Sequence, residues 1–184
     1  MKKLLIWLKN KIFGIDPRSE LERLKDNGFE YGERFHMMGE CIIDPGHCWL
    51  ISVGDRVTLA PRVHILAHDA SLKETLGYTK LGRVKIGNDV FIGANTTILP
   101  GVTIGDKVVI GANSLVSKDI ESNSVAVGNP AKVIKTYDEY FEENKQLIKT
   151  NTVFDMSYKI DSITDEKKEE MKKLLDDGKT GFIL

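Results

Sequence analysis

Cysteine is nearly missing from this chain: Cys41 and Cys48 are its only two in 184 residues. Two thiols supply neither a disulfide framework nor a four-ligand zinc site, so reduced cysteines in a cytoplasmic protein are expected. An excess of one charge sign is missing too, with 26 Lys and Arg against 27 Asp and Glu. Without a broad basic face, nucleic acid is not an expected partner. Long apolar runs are also lacking. Leu4-Leu5-Ile6-Trp7-Leu8 follows Lys2 and Lys3 in the manner of a signal peptide, but Lys9, Asn10 and Lys11 interrupt it. That run is too short for export or for spanning a bilayer. What remains is a soluble globular chain with enough apolar residues for a substantial core.

What the sequence does have is a short period. An aliphatic residue returns every sixth position at Ile86, Ile92, Ile98, Ile104, Ile110 and Val116, followed by Gly at Gly87, Gly93, Gly105 and Gly111. An earlier block repeats at Val53, Leu59 and Ile65. The two blocks are out of phase, so residues 71–83 must leave the repeat as a loop. Ile43 and Trp49 suggest an irregular first coil before Val53. Six residues fit neither a helical period nor the alternation of a lone strand; each unit needs a short strand and then a corner. Three units make one triangular turn. The aliphatic residue then points inward and stacks on its equivalents, while Gly87, Gly93, Ala94, Gly111 and Ala112 keep the corners clear of Cβ clashes.

The flanks read as helices. Asp16-Pro17 precedes an acidic start at Glu20 and Glu22, and Gly28 would stop that helix. Tyr137 to Lys149 and Thr164 to Asp177 form two surface helices, the second with Asp165 and Glu166 in its first turn and Gly178 beyond its end. The expected organisation is an N-terminal helical extension over 1–40, a repeat domain over 41–135 with its loop at 71–83, and a C-terminal helical extension over 136–184.

The hexads and the closing run Val125-Ala126-Val127-Gly128-Asn129-Pro130-Ala131-Lys132 resemble the hexapeptide-repeat acyltransferases, in particular the sugar, maltose and galactoside O-acetyltransferases. The resemblance implies a mainly β fold, a single-stranded left-handed parallel β-helix that assembles as a homotrimer, and acetyl-CoA as cosubstrate. Left-handedness comes from the resemblance alone, since general sterics favour right-handed crossovers. In similar enzymes a run like Leu66-Ala67-His68-Asp69 delivers the catalytic histidine to a groove between two subunits. His68 is therefore the expected general base: an imidazole can take a hydroxyl proton as attack on a thioester begins.

By the same resemblance Ala94, Ala112 and Ser117 would line the pantetheine channel, and Lys118 and Lys132 would meet the phosphates of the coenzyme. Relatives present Arg at the position of Lys132, and Lys lacks its bidentate fork. The loop with Tyr78 is the natural place for acceptor recognition. Trp49 is a candidate acceptor contact or a filler of the first coil. Asp69 would contact the acceptor or orient His68, although adjacent strand residues point to opposite faces. A zinc-dependent relative of this scaffold needs three converging imidazoles. His36, His47, His64 and His68 are the imidazoles on offer, but His64 and His68, four apart in a period of six, should not face the same way, so no metal is expected.

The expected function is O-acetylation of a sugar or of a glycan precursor in polysaccharide biosynthesis. N-acetylation of an amino sugar and acetylation of a chloramphenicol- or streptogramin-like antibiotic are the enzymatic alternatives; a trimeric β-helix serving as a binding module or scaffold is the non-catalytic one. Leu4, Leu5, Leu8 and Ile12 share one helical face suited to weak contact with an anionic membrane surface, with packing on the β-helix or a neighbouring subunit as the expected role.

Overall fold

The computed structural model describes residues 19–184. The apolar face of residues 4–12 and the Asp16-Pro17 helix start lie outside the described residues. Among those described, no helix is long and apolar enough to cross a membrane. Two compact units meet in sequence at Lys135 and Thr136.

The first unit opens with helix α1 (Glu20–Asp26). Ser19 caps it: its Oγ accepts the Glu22 N–H at 3.3 Å while the Glu22 carboxylate accepts the Ser19 N–H at 2.7 Å, a reciprocal arrangement that satisfies two otherwise orphan donors. Strands β1 (Glu30–Tyr31), β2 (His36–Met37) and β3 (Ile42–Ile43) form the first coil, and β4 (Ile51–Val53), β5 (Thr58–Leu59) and β6 (His64–Ile65) the second. Strand β7 (His68–Asp69), helix α2 (Lys73–Leu76) and strand β8 (Lys80–Leu81) leave the stack. The third coil is β9 (Val84–Ile86), β10 (Val90–Ile92) and β11 (Thr97–Ile98), and the fourth β12 (Thr103–Ile104), β13 (Val108–Ile110) and β14 (Leu115–Val116). A bridge at Ile120, then β15 (Ser124–Val127) and β16 (Lys132–Thr136), close the unit.

Coil lies on coil in three sheets: β1-β4-β9-β12, β2-β5-β10-β13-β15-β16 and β3-β6-β11-β14. Pairing between successive coils is parallel, the arrangement of a parallel β-helix. The six-residue reading holds in detail. Val53, Ile86 and Ile104 stack on the first face, Leu59, Ile92 and Ile110 on the second, and Ile65, Ile98 and Val116 on the third, and all are buried. Each such side chain contributes about 1.5–3 kcal/mol on burial. Thr96 and Ser114 replace aliphatics in this core, and both hydroxyls donate to the Gly111 carbonyl, at 3.1 and 2.7 Å, which removes the cost of leaving them unpaired.

Two expectations about the first coil need correction. The coils begin at Glu30 rather than 41; the first coil is regular, with Ile43 inside it, while Trp49 is 54% exposed and fills no coil position. Gly87, Gly93 and Gly111 do keep Cβ atoms out of the neighbouring coil, as expected. The left-handed corner backbone falls on Asp89, Asn95, Lys107 and Asn113, with φ between 53° and 58°. Gly87 is needed because a Cβ there would sit 2.8 Å from the Gly105 carbonyl carbon of the next coil.

The second unit holds α3 (Tyr137–Thr150) and α4 (Asp165–Leu174), neither with a buried residue among those described. Thr136 and Glu139 form a capping box on α3, and Thr164 caps α4. The unit is not purely helical: β17 (Thr152–Phe154) and β18 (Gly181–Ile183) pair in parallel and bury Phe154.

Candidate active site

Coil spacing explains how the site is built. An undisturbed turn takes 18 residues, as from Val90 to its partner Val108. From His36 to Thr58 it takes 22, and from Thr58 to Phe91 it takes 33. The first surplus lies between β3 and β4 and the second between β6 and β9. Both segments therefore leave the stack at one edge, in adjacent coils. Asp44 and His47 come from the first and His68 from the second.

Asp44 is fully buried and accepts four hydrogen bonds. Oδ1 takes the Gly46 and His47 N–H groups at 3.1 and 3.2 Å; Oδ2 takes the Ala67 N–H at 2.9 Å and lies 2.5 Å from His68 Nδ1. Desolvation pushes the Asp44 pKa up, but the bonds from Ala67, His68 and Gly46 outweigh it and hold the carboxyl below its ordinary value. An ionised carboxylate only accepts, so His68 Nδ1 must carry the proton. Nε2 of the neutral imidazole is then bare, on a side chain 36% exposed. That is the tautomer a general base needs, held by a charge-assisted bond.

The His47 ring lies 4.9 Å from that of His68 and 5.4 Å from that of Trp49. Its Nδ1 is buried and makes no hydrogen bond among the described residues; Asp44 Oδ1 is 3.8 Å away. Ligand atoms of Asp44, His47 and His68 all lie within 4.8 Å of one another, close enough to hold a metal ion. His64, the partner considered for His68 on sequence, is not in this group.

The orienting carboxylate is Asp44, not Asp69. Asp69 instead accepts the Ser71 N–H at 2.9 Å and lies 3.5 Å from Lys80 Nζ, across the antiparallel β7–β8 pair. Tyr78 stands beyond α2 and is 76% exposed. Trp49 is drawn to the His47 side of the site. Ala94 and Ala112 occupy equivalent corners of successive coils, where the Asn113 N–H donates to the Ala94 carbonyl at 2.8 Å. Ser117 and Lys118 stand at the edge from which the His68 segment leaves. One chain thus divides these small residues between two edges. Lys132 is exposed on β16.

Sequence reasoning passed over Asp44 and weighed His47 only as one of four histidines in a discounted metal cluster. The signal was present in Ile43-Asp44-Pro45-Gly46-His47, a turn-forming run that breaks the spacing between Ile43 and Val53.

Residues 83–118 match the family described as bacterial transferase hexapeptide (six repeats). Protein CapG of Staphylococcus aureus is 48% identical over 96 residues, covering 50% of this chain and 56% of that protein. A maltose O-acetyltransferase from Clostridium difficile 630 shares 47% identity at a TM-score of 0.52, over 58% of this chain and 57% of that one. The hexapeptide-repeat acetyltransferase VCA0836 from Vibrio cholerae O1 biovar eltor, complexed with acetyl coenzyme A, shares 25% identity at a TM-score of 0.52, over 65% of this chain and 78% of that one. The chain spans about half the length of the curated relatives it matches. By its coil register and these matches the chain is similar over residues 83–118 to the bacterial hexapeptide transferases, and along its β-helix to acetyltransferases.

Proposed function

We propose that the protein transfers an acetyl group from acetyl-CoA to a hydroxyl of a sugar or glycan precursor, with His68 as general base. The carrying observation is the 2.5 Å contact between His68 Nδ1 and buried Asp44, which leaves Nε2 as the basic nitrogen. In this scheme Nε2 takes the hydroxyl proton while the acceptor oxygen attacks the thioester carbonyl. As the tetrahedral intermediate collapses, the C–S bond breaks and the imidazolium returns that proton to the departing thiolate. General-base help of this kind is worth about 10²–10⁴ in rate. Thiolate leaves readily, so this transfer asks for neither a metal nor a covalent enzyme intermediate.

Acetyl-CoA as donor draws support from the Vibrio cholerae complex, and a sugar acceptor from the maltose O-acetyltransferase. The coenzyme would run along Ala94, Ala112 and Ser117 with its phosphates toward Lys118 and Lys132. A homotrimer would let the alanine edge of one copy face the His68 edge of the next, which is how small residues at two corners serve one channel. Trp49, Tyr78 and Asp69 are the acceptor contacts in this reading, and the reaction is placed in the cytoplasm, in the making of surface polysaccharide.

The test is coenzyme A release from acetyl-CoA across a panel of sugars, amino sugars and chloramphenicol-like alcohols. Turnover with a sugar hydroxyl is expected. Faster turnover of an amine or antibiotic would replace the acceptor, and no turnover with any of them would remove the enzymatic reading.

A further inference from the structure

The mechanism makes no use of His47, yet its Nδ1 is buried without a hydrogen-bond partner among the described residues, a state that costs about 1–3 kcal/mol and calls for a reason. Asp44 Oδ1, at 3.8 Å, is too far for a hydrogen bond. It is close to the spacing of two ligands on one tetrahedral ion: with metal–N and metal–O bonds of about 2.0–2.2 Å, neighbouring ligand atoms stand about 3.4 Å apart. The His68 ring completes the group at 4.9 Å from that of His47.

We propose that Asp44, His47 and His68 bind one divalent transition-metal ion, and that binding competes with the Asp44–His68 hydrogen bond. The two states exclude each other for a geometric reason. At 2.5 Å, His68 Nδ1 and Asp44 Oδ2 are too close to be two ligands of the same ion. An ion entering between them parts the pair, displaces the Nδ1 proton to solvent and takes that lone pair. Asp44 then spends its charge on the ion rather than on orienting the imidazole. Two imidazoles and one carboxylate suit Zn²⁺, Co²⁺ or Ni²⁺; Mg²⁺ and Ca²⁺ prefer all-oxygen sites. With three protein ligands, water fills the fourth position. The metal-bound protein is therefore a form in which the base is withheld. Only this inhibitory consequence rests on the proposed acetyl transfer; the binding does not.

The experiment uses untagged full-length protein stripped with a chelator. ZnCl₂ is titrated calorimetrically, and CoCl₂ is titrated with the visible ligand-field bands as readout. One ion per chain with release of about one proton is expected. His47→Ala and His47→Gln, each checked for folding by thermal unfolding, should weaken binding by on the order of tenfold or more. Zn²⁺ should inhibit coenzyme A release with the midpoint seen by calorimetry, and chelator should restore it. No saturable binding, or binding unchanged in both folded His47 variants, overturns the site. Binding that leaves turnover intact overturns the competition. Binding to a protein that turns over none of the acceptors keeps the site and removes only the acetyl-transfer reading.

Discussion

Replacing Asp44 by Asn tests the orientation of the base at almost constant volume. The side chain accepts four hydrogen bonds, two on each oxygen, and an amide can accept on one side only. With the amide oxygen toward Gly46 and His47, both of those bonds survive and the NH₂ faces the Ala67 N–H and His68 Nδ1. Flipped, it sets the NH₂ against two backbone donors instead of one. The first arrangement wins by about one hydrogen bond, or roughly 1 kcal/mol. In it the amide donates to His68 Nδ1, so the imidazole proton moves to Nε2, and the nitrogen that should receive the acceptor proton is occupied. The unpaired Ala67 N–H should cost about 1–3 kcal/mol of stability. The expected result for Asp44→Asn is a folded protein, by thermal unfolding, whose turnover in the coenzyme A release assay falls by about 10²–10⁴. Turnover within about threefold of wild type in the folded variant would refute the argument that Asp44 fixes the tautomer.

Two further outcomes follow from the stack itself. Gly87→Ala should destabilise by about 1–3 kcal/mol in denaturant unfolding, because its Cβ would meet the Gly105 carbonyl carbon at 2.8 Å and the Asp106 nitrogen at 2.9 Å, both backbone atoms. Ile98→Ala, buried between Ile65 and Val116, should cost about 2–5 kcal/mol by the same measurement; a loss under about 1 kcal/mol would mean the coils do not stack on this column.

The β-helix could be read from sequence because its signal is redundant. Ile86 to Val116 repeat one instruction six times, and each inward residue is confirmed by its neighbours in the stack. The two segments that leave the stack carry no such redundancy. His68 was found through the run around it, but its partner Asp44 lies 24 residues earlier, and their meeting depends on both segments leaving at one edge. A one-coil view offers only adjacent Asp69 as a partner, against the alternation of a strand, and Asp69 lies by Lys80 instead. Trp49 was misplaced for a related reason: it stands six residues after Ile43 and mimics the period, although the chain has already left the coil at Asp44. The β17–β18 pair escaped notice because Thr152–Phe154 and Gly181–Ile183 are short and far apart in sequence, so neither signals the other.

The central claim is that the imidazole of residue 68 moves the proton of the acceptor hydroxyl. The direct measurement is the turnover number of His68→Ala against wild type, at saturating acetyl-CoA and the best acceptor of the panel, with coenzyme affinity measured separately by calorimetry. The account predicts unchanged affinity and a fall in turnover of about 10²–10⁴. Wild-type turnover in a folded His68→Ala protein would contradict it.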